Sequence, residues 1–356
     1  MALEAEEAEI AERLADADGV WEELERRSRY DYQVAYAKIK LAERRRRYRR
    51  MGVAVGAAAS LLIASLVLVY QSRGPAEEPV LAAGATIKPG EQKAILTTSD
   101  GQTRLLGEEE VSLKEGNGVE LMVGTGGIHY RKNDMLPRDT AVLYNILEVP
   151  RGGVYPTILA DGTRVWLNSE TTLRYPVVFA GDQRVVELNG EAYFDVVTDA
   201  GKPFIVRMKS GDITVLGTRF NVKSYPDERS LVATLVEGSV RFGNTHTPGI
   251  TLRPGHQLQY DKETHTAKVK PVKTALYTSW KDNLFEFEGE SLENIMRVLA
   301  RWYDLEVVFE NEPLKALNFT GNLDKYKDIE TFFRLFEAGA DVRFIIKNKA
   351  IIIREK

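Results

Sequence analysis

Two carboxylates of this 356-residue chain, Glu191 and Asp195 of Gly190-Glu-Ala-Tyr-Phe-Asp195, stand four residues apart. On an extended strand that spacing puts both on one face, as the two acids of a glycoside hydrolase would be. No second catalytic constellation accompanies them, and acids on a solvated strand face are far commoner. The histidines are His129, His246, His256 and His265, and they show neither the i, i+4 spacing nor the neighbouring Cys of a zinc site. Gly124-Thr-Gly-Gly127 lacks the Lys of a phosphate loop and reads as a loop between strands. With no Cys at all, a disulfide scaffold, a thiol nucleophile, an iron-sulfur cluster and a thiolate zinc site are excluded together. No cofactor, no metal and no turnover enzyme are expected.

One backbone position could still react. In Val215-Leu-Gly-Thr-Arg-Phe-Asn-Val222 the Thr218 hydroxyl could attack the Gly217 carbonyl if the turn were strained, giving an ester that hydrolyses. Gly217 and Thr218 are therefore candidates for a single self-cleavage. The ordinary alternative is a glycine that serves a turn or bulge between strands.

The elements that position these residues follow from the charge pattern. Lys plus Arg number 48 against 52 Asp plus Glu, and the net charge of −4 argues against a general nucleic-acid binder. The average hides a split: residues 1–30 carry ten acids and four Arg, residues 31–50 two acids and eight Lys or Arg. Then come twenty uncharged residues, Met51 to Tyr70, about 30 Å long as a helix, the thickness of a bilayer core. A cleaved signal peptide would begin nearer the start and be shorter, so a transmembrane anchor is expected. The flanking Arg44, Arg45, Arg46, Arg47, Arg49 and Arg50 place the N-terminus in the cytoplasm, with Tyr48 and Tyr70 at the two interfaces. The expected organisation is a cytoplasmic helical segment 1–50, a transmembrane helix 51–70, a linker 71–84, a β-rich domain 85–270 and a C-terminal domain 276–356.

Residues 1–43 are rich in Ala, Glu, Leu and Arg, which favour helix. Ile10 with Leu14, and Trp21 with Leu24, fall at helical spacing, a stripe too short to bury itself. It would either lie on anionic lipid or be presented to a cytoplasmic partner.

From Ala85 to Val269 short β-branched runs alternate with turn signals, among them Asp100-Gly101, Asp161-Gly162, Asn189-Gly190, Glu237-Gly238 and Pro254-Gly255. Strands are expected at 153–159, 163–168, 183–188, 191–197, 204–209, 212–216, 220–224, 231–236 and 239–242. The fold class is all-β, as stacked hairpins in a sandwich, roll or solenoid-like stack. Pro89 with Asp100-Gly-Gln-Thr103 is echoed 61 residues on by Pro150 with Asp161-Gly-Thr163, which supports stacking. After Pro271 the pattern predicts a small α+β domain of two strand-helix-strand units. These are strand Leu284–Phe287, helix from Ser291 to Tyr303, strand Leu305–Phe309, then strand Phe319–Gly321, helix Asp328–Glu337 and a hairpin around Asn348-Lys349. Ile295, Leu299 and Trp302 form its core stripe.

At this point the residues resemble a family. Pro150-Arg-Gly-Gly-Val-Tyr155, Leu159-Ala-Asp-Gly-Thr-Arg-Val-Trp-Leu-Asn168, Leu173-Arg-Tyr-Pro176, Arg184-Val-Val-Glu-Leu-Asn-Gly-Glu-Ala-Tyr-Phe-Asp-Val196, Lys202-Pro-Phe204, Val215–Val222 and Thr234-Leu-Val-Glu-Gly-Ser-Val240 look like the motifs of FecR-type anti-sigma factors in their Bacteroidota form. Trp280, Phe285-Glu-Phe287, Leu299-Ala-Arg-Trp-Tyr303, Phe319-Thr-Gly321 and Ile351-Ile-Ile353 look like the short secretin/TonB-type domain that ends such proteins. The resemblance implies a single-pass inner-membrane transducer with a periplasmic C-terminus. Its cytoplasmic helices would hold an extracytoplasmic-function (ECF) sigma factor, with Trp21 and Leu24 as candidate contacts. Its periplasmic end would read the signalling domain of an outer-membrane TonB-dependent transporter, with Leu284, Phe285, Phe287 and Phe319 as candidates. In some members the peptide matching Gly217-Thr218 cleaves itself. Members ordinarily carry a longer cytoplasmic portion than the fifty residues here. A membrane-anchored periplasmic carbohydrate-binding or scaffold protein, without sigma binding, is the alternative.

Overall fold

The structure, a computed structural model, describes residues 87–107, 111–114, 120–124, 127–131, 142–247 and 249–356. Segment 1–50 with Trp21, Leu24 and the arginine flank, the apolar run 51–70 with Tyr70, and the linker 71–84 lie outside the described residues. Among the described residues no helix is long and apolar enough to cross a membrane.

The first domain is mostly β-sheet. In chain order its strands are β1 Glu91–Gln92, β2 Ala94–Thr97, β3 Thr103–Leu106, β4 Val111–Lys114, β5 Glu120–Gly124, β6 Gly127–Arg131, β7 Tyr144–Val149, β8 Gly153–Ile158, β9 Arg164–Leu167 and β10 Thr171–Pro176. They continue with β11 Arg184–Asp195, β12 Phe204–Met208, β13 Gly211–Val215, β14 Arg219–Ser224, β15 Ser230–Glu237, β16 Val240–Gly243, β17 Ile250–Leu252, β18 His256–Asp261 and β19 Ala267–Pro271. One layer runs β3-β2-β7-β10-β11-β12-β13-β16-β17. The other runs β4-β5-β6-β8-β9-β11-β14-β15-β18-β19. Successive hairpins alternate between the layers, so β12–β13 lies in one, β14–β15 in the other, β16–β17 in the first again and β18–β19 in the second. This is the expected stacking of hairpins, and one apolar core fills the space between the layers.

Strand β11 belongs to both layers, and here the sequence expectation needs correcting. Asn189-Gly190 reads as a hairpin turn, yet it lies inside one twelve-residue strand. Residues 184–189 pair with β10 and β12, and residues 190–195 pair with β9 and β14. Gly190 is the corner where the strand passes from layer to layer. Its φ of +118° and a would-be Cβ only 2.4 Å from Thr171 Oγ1 require glycine there. Beyond the corner Phe194 stacks on Phe220 at 5.1 Å and meets Phe204 at 6.0 Å, which joins the two layers through the core.

The 61-residue echo is structural. Asp100 Oδ1 accepts the Gln102 N–H and Asp161 Oδ1 the Thr163 N–H. In both turns the glycine N–H, of Gly101 or Gly162, bonds three residues back.

The C-terminal domain begins after helix α1 (Ala275–Thr278) and a 3₁₀ turn, Ser279–Asp282. It comprises β20 Leu284–Ser291, α2 Leu292–Tyr303, β21 Glu306–Phe309, β22 Asn318–Asp324, α3 Ile329–Gly339, β23 Arg343–Lys347 and β24 Ala350–Arg354. The two expected units are present, each within a residue or two except that β20 and β22 run further. Ser291 caps α2 by accepting the Asn294 N–H, and Ile295, Leu299 and Trp302 are buried as expected. Strands β20 and β22 pair antiparallel, while β24 lies between β21, to which it is parallel, and β23. Residues 84–356 form one compact unit, with Ile87 and Val154 of the first domain packed against the core of the second.

Candidate functional site: a buried polar seam between the domains

Alternation along β11 decides which side chains reach the seam. Ala192 and Phe194 are fully buried in the sandwich, so Glu191, Tyr193 and Asp195 point the other way, out of it. The connecting turn Ser279–Asp282 covers this outer face: Lys281 Nζ lies 5.1 Å from the Tyr193 ring centre, and Tyr193 meets Trp166 edge-on at 5.6 Å. The Glu191 carboxylate accepts one bond each from Asn168 Nδ2 and Asn221 Nδ2, both at 2.9 Å. Asn221 Oδ1 in turn accepts the Trp280 indole N–H at 3.1 Å, so a polar chain crosses from β11 through β14 into the connector. Burial pushes the Glu191 carboxyl above its ordinary pKa, against the pull of Lys223 and of the two asparagines.

The chain continues into the C-terminal domain. Lys325, next after the last residue of β22, is 1% exposed and donates to the Trp280 carbonyl at 3.4 Å. Its Nζ lies 3.9 Å from the Trp302 ring centre, with Trp280 and Phe285 at 5.6 and 5.9 Å. The Trp302 indole N–H bonds the Lys325 carbonyl at 2.7 Å.

A second set of contacts gathers on the last turn of α2. Arg301 donates to Glu228 at 2.6 Å, to both oxygens of Asp227 at 2.7 Å and to Glu170 at 3.1 Å, and its guanidinium lies 3.8 Å over the Tyr225 ring. The Tyr225 hydroxyl is tied to the Ser169 carbonyl, and Lys223 reaches Glu228 at 2.8 Å. Burial would raise the Glu228 carboxyl, but Lys223 and Arg301 outweigh it and hold it below its ordinary value. Carbonyls at and just past the helix end are met by the first domain, where Arg151 Nη2 donates to Ala300, which also accepts the Leu305 N–H, and to Leu305, both at 2.8 Å, and the Gly152 N–H donates to Arg301 at 2.7 Å. A cation at a helix C-terminus is favourable on charge as well as hydrogen bonding. Gly90 is required where Trp302 lies flat on the chain, because a Cβ there would sit 2.6 Å from the ring.

Several sequence candidates find other roles. Glu191 is not on a solvated face, and four residues of strand set it about 13 Å from Asp195, too far for paired catalytic carboxylates. Asp195 instead binds Arg164 and Arg219, which hold its carboxyl below the ordinary value against the opposing effect of burial. His246 and His265 stack at 4.0 Å, with the Tyr260 hydroxyl bonded to His265. Phe285 is a core residue, Phe287 and Phe319 are half-buried, and Leu284 is exposed. The Thr218 hydroxyl is buried and donates to the Ser239 carbonyl at 3.0 Å. A Cβ on Gly217 would lie 2.2 Å from Thr198 Oγ1, so packing alone demands glycine before Thr218. Arg301, Asn221 and Lys325 escaped the reading of the residues. The first two lie inside quoted motifs without being singled out, and Lys325 sits in a run of polar residues with no signal of burial.

Residues 147–241 match the family model described as FecR protein, and residues 284–353 match the one described as FecR, C-terminal. Two crystal structures of a candidate anti-sigma factor from Parabacteroides distasonis ATCC 8503, at 1.65 and 2.50 Å, are similar to the chain at 28% identity and a TM-score of 0.56. They cover 59% and 60% of this chain and 99% and 100% of their own. No curated protein matches the chain significantly.

Arg301→Ala leaves the buried Glu228 with Lys223 as its one cation among the described residues and Asp227 without one there, while Glu170 keeps Arg151. Because Glu170 and Asp227 are partly exposed, unfolding by denaturant at pH 7 should show a loss at the low end for a broken buried pair, about 3 kcal/mol. Glu228 has a depressed pKa in the fold, so its share of the wild-type advantage is fully present above pH ~4.5 and is lost as pH falls through the depressed value. The gap between wild type and variant should therefore narrow in acid. Arg301→Lys should recover only part of it, since one ammonium cannot serve three carboxylates as a guanidinium fork does.

Proposed function

We propose, from the premise that this chain is of the FecR type, that it is an anti-sigma factor acting by binding rather than by enzymatic turnover. The observation that carries the reading is the coincidence of both FecR matches on one compact unit with 28% identity to a candidate anti-sigma factor over 99% of its crystallised chain. In this reading residues 1–50 hold an ECF sigma factor in the cytoplasm, 51–70 cross the inner membrane, and 84–356 stand in the periplasm. The input is the signalling domain of a TonB-dependent outer-membrane transporter, added as a strand to the sheet of β20 and β22. What supports this edge is exposure: Asn318, Thr320, Gly321, Asn322 and Asp324 of β22 all face solvent, and β22 pairs with β20 alone among the described strands. The bound signal would pass through the seam to the first domain and from there to the anchor.

Residues 1–50 used as bait on a lysate should retain a sigma factor, identified by mass spectrometry. Trp21→Ala and Leu24→Ala should each weaken retention by tenfold or more, the cost of losing an apolar anchor of ~2 kcal/mol. A bait that retains no sigma factor removes the anti-sigma reading.

The transporter contact has its own test. The chain has no cysteine, so Asn322→Cys gives a unique handle on the β22 edge. A thiol-directed photocrosslinker there should capture the transporter's signalling domain from membranes, whereas Lys268→Cys on β19 should not. Equal capture from both positions, or from neither, would remove β22 as the contact.

Self-cleavage at Gly217-Thr218 is proposed as a maturation step of the same protein. Long incubation of the purified full chain should release a fragment beginning at Thr218, and Thr218→Val, which keeps the shape and removes the hydroxyl, should stay whole. Gly217→Ala is the poorer test because of its clash with Thr198.

A further inference from the structure

An ammonium carries three N–H donors. Lys325 is almost wholly buried, and its head finds a single acceptor among the described residues, the Trp280 carbonyl at a long 3.4 Å. The rest of its surroundings is aromatic, the faces of Trp302, Trp280 and Phe285. The charged and titratable groups nearby are Glu191 from β11, backed by Lys223 and Glu228, Tyr303 from α2, and the Lys281–Asp282 pair of the connecting turn. Of these the Glu191 carboxylate favours the charged amine, against the larger opposing effect of burial. The ring faces attract an ammonium, but a single long hydrogen bond leaves its other donors unmet in a buried pocket, and the neutral amine, with fewer donors to satisfy, fits there better.

We propose that Lys325, buried in the seam among Trp302, Trp280 and Phe285, is a proton-operated latch: the seam closes firmly on the neutral amine and loosens when the amine takes up a proton. Trp280 is the moving part. Its indole N–H holds Asn221, the partner of Glu191, and its carbonyl and ring hold Lys325, so lifting Trp280 exposes the ammonium to water and releases the polar chain at once. The direction of the linkage agrees with this. Burial, only partly offset by Glu191, lowers the Lys325 pKa to about 7 from its ordinary 10.5. The open form therefore binds more protons than the closed one between those values, and closure strengthens as pH rises from about 7 toward 10.5. Below pH 7 Lys325 adds no further slope, because both forms carry the charge. The latch rests on the contacts of the seam and holds whether or not the chain binds a sigma factor.

Hydrogen exchange of the full chain in detergent tests it. In peptides spanning 279–303 and 318–328, the opening equilibrium corrected for intrinsic exchange should be about 20-fold smaller at pH 8.5 than at pH 6.5. Lys325→Met should remove that 20-fold share, read as the wild-type dependence less the variant's; a variant that keeps the wild-type dependence would overturn the latch. Lys262, whose pKa burial also lowers, contributes in both proteins and cancels from the comparison. Should the variant fail to fold, the wild type decides: with ¹³Cε-labelled lysine, one resonance should titrate near pH 7, and a set that all titrates above pH 9 would overturn the proposal. In Glu191→Gln that midpoint should move down, because the counter-charge is gone. An unmoved midpoint would show that Glu191 is not the partner.

Discussion

The relation between the two domains depends on one buried guanidinium. Arg301 ends α2 inside the other domain's carboxylates, while the carbonyls of the same helix turn are taken by Arg151 and Gly152. Each domain thus supplies cations to acceptors on the other, in crossed directions. Such an arrangement is poor at adding stability, because desolvating the charges consumes much of what their attraction returns. It is good at excluding alternatives: any other docking angle of α2 that keeps Arg301 buried takes it away from Glu228, Asp227 and Glu170 and leaves a guanidinium without its carboxylates, at a cost of several kcal/mol. The seam is accordingly a device for orientation, and the apolar contacts of Trp302, Ile87 and Val154 supply its adhesion.

That docking surface exists because of the corner at Gly190. A strand confined to one layer would place Glu191 and Tyr193 in line with residues 184–189, next to β10 and β12. The corner carries them into the second layer beside β14, whose Asn221 and Lys223 point to the same outer face. Outward positions of a sandwich ordinarily meet water, and the polar residues here are what such positions hold. The connector then covers them, so each must find a partner. Asn168 and Asn221 serve the Glu191 carboxylate, and Trp280 serves Asn221.

Periodicity made most of the fold legible. Strands 153–158, 204–208 and 219–224, the α2 stripe and its Ser291 cap, and the turn at Asn348 all followed from local chemistry, because each is decided within a few residues of itself. Gly190 was legible as a special backbone position but not as which kind. Asn-Gly in a β context signals a hairpin, and only the presence of β9 and β14 on one side and β10 and β12 on the other turns it into a corner. The seam was the least legible part, for a related reason. Polarity in a sequence reads as exposure, and Glu191, Arg301 and Lys325 are polar residues covered by a segment far away in the chain. Phe285 erred in the opposite sense, its neighbours suggesting an exposed edge while its own side chain fills the core.

The placement of Lys325 ties the proposed input to the proposed latch. It directly follows β22, so a strand added to the free edge of β22 acts on the backbone that carries the Lys325 carbonyl, the acceptor of the Trp302 indole. A shift there bears on Trp302, and through α2 on Arg301, whose carboxylate partners lie on the first domain. The same residue presses through its amine on Trp280. Both routes end on the first domain, one at Glu228 and one at Glu191, and Lys223 on β14 bears on both carboxylates. A signal arriving at the outer edge of the small domain therefore has no need of a hinge. It needs only to change how well a few buried polar groups are satisfied, and the low tolerance of buried charge makes that change large compared with the movement that causes it.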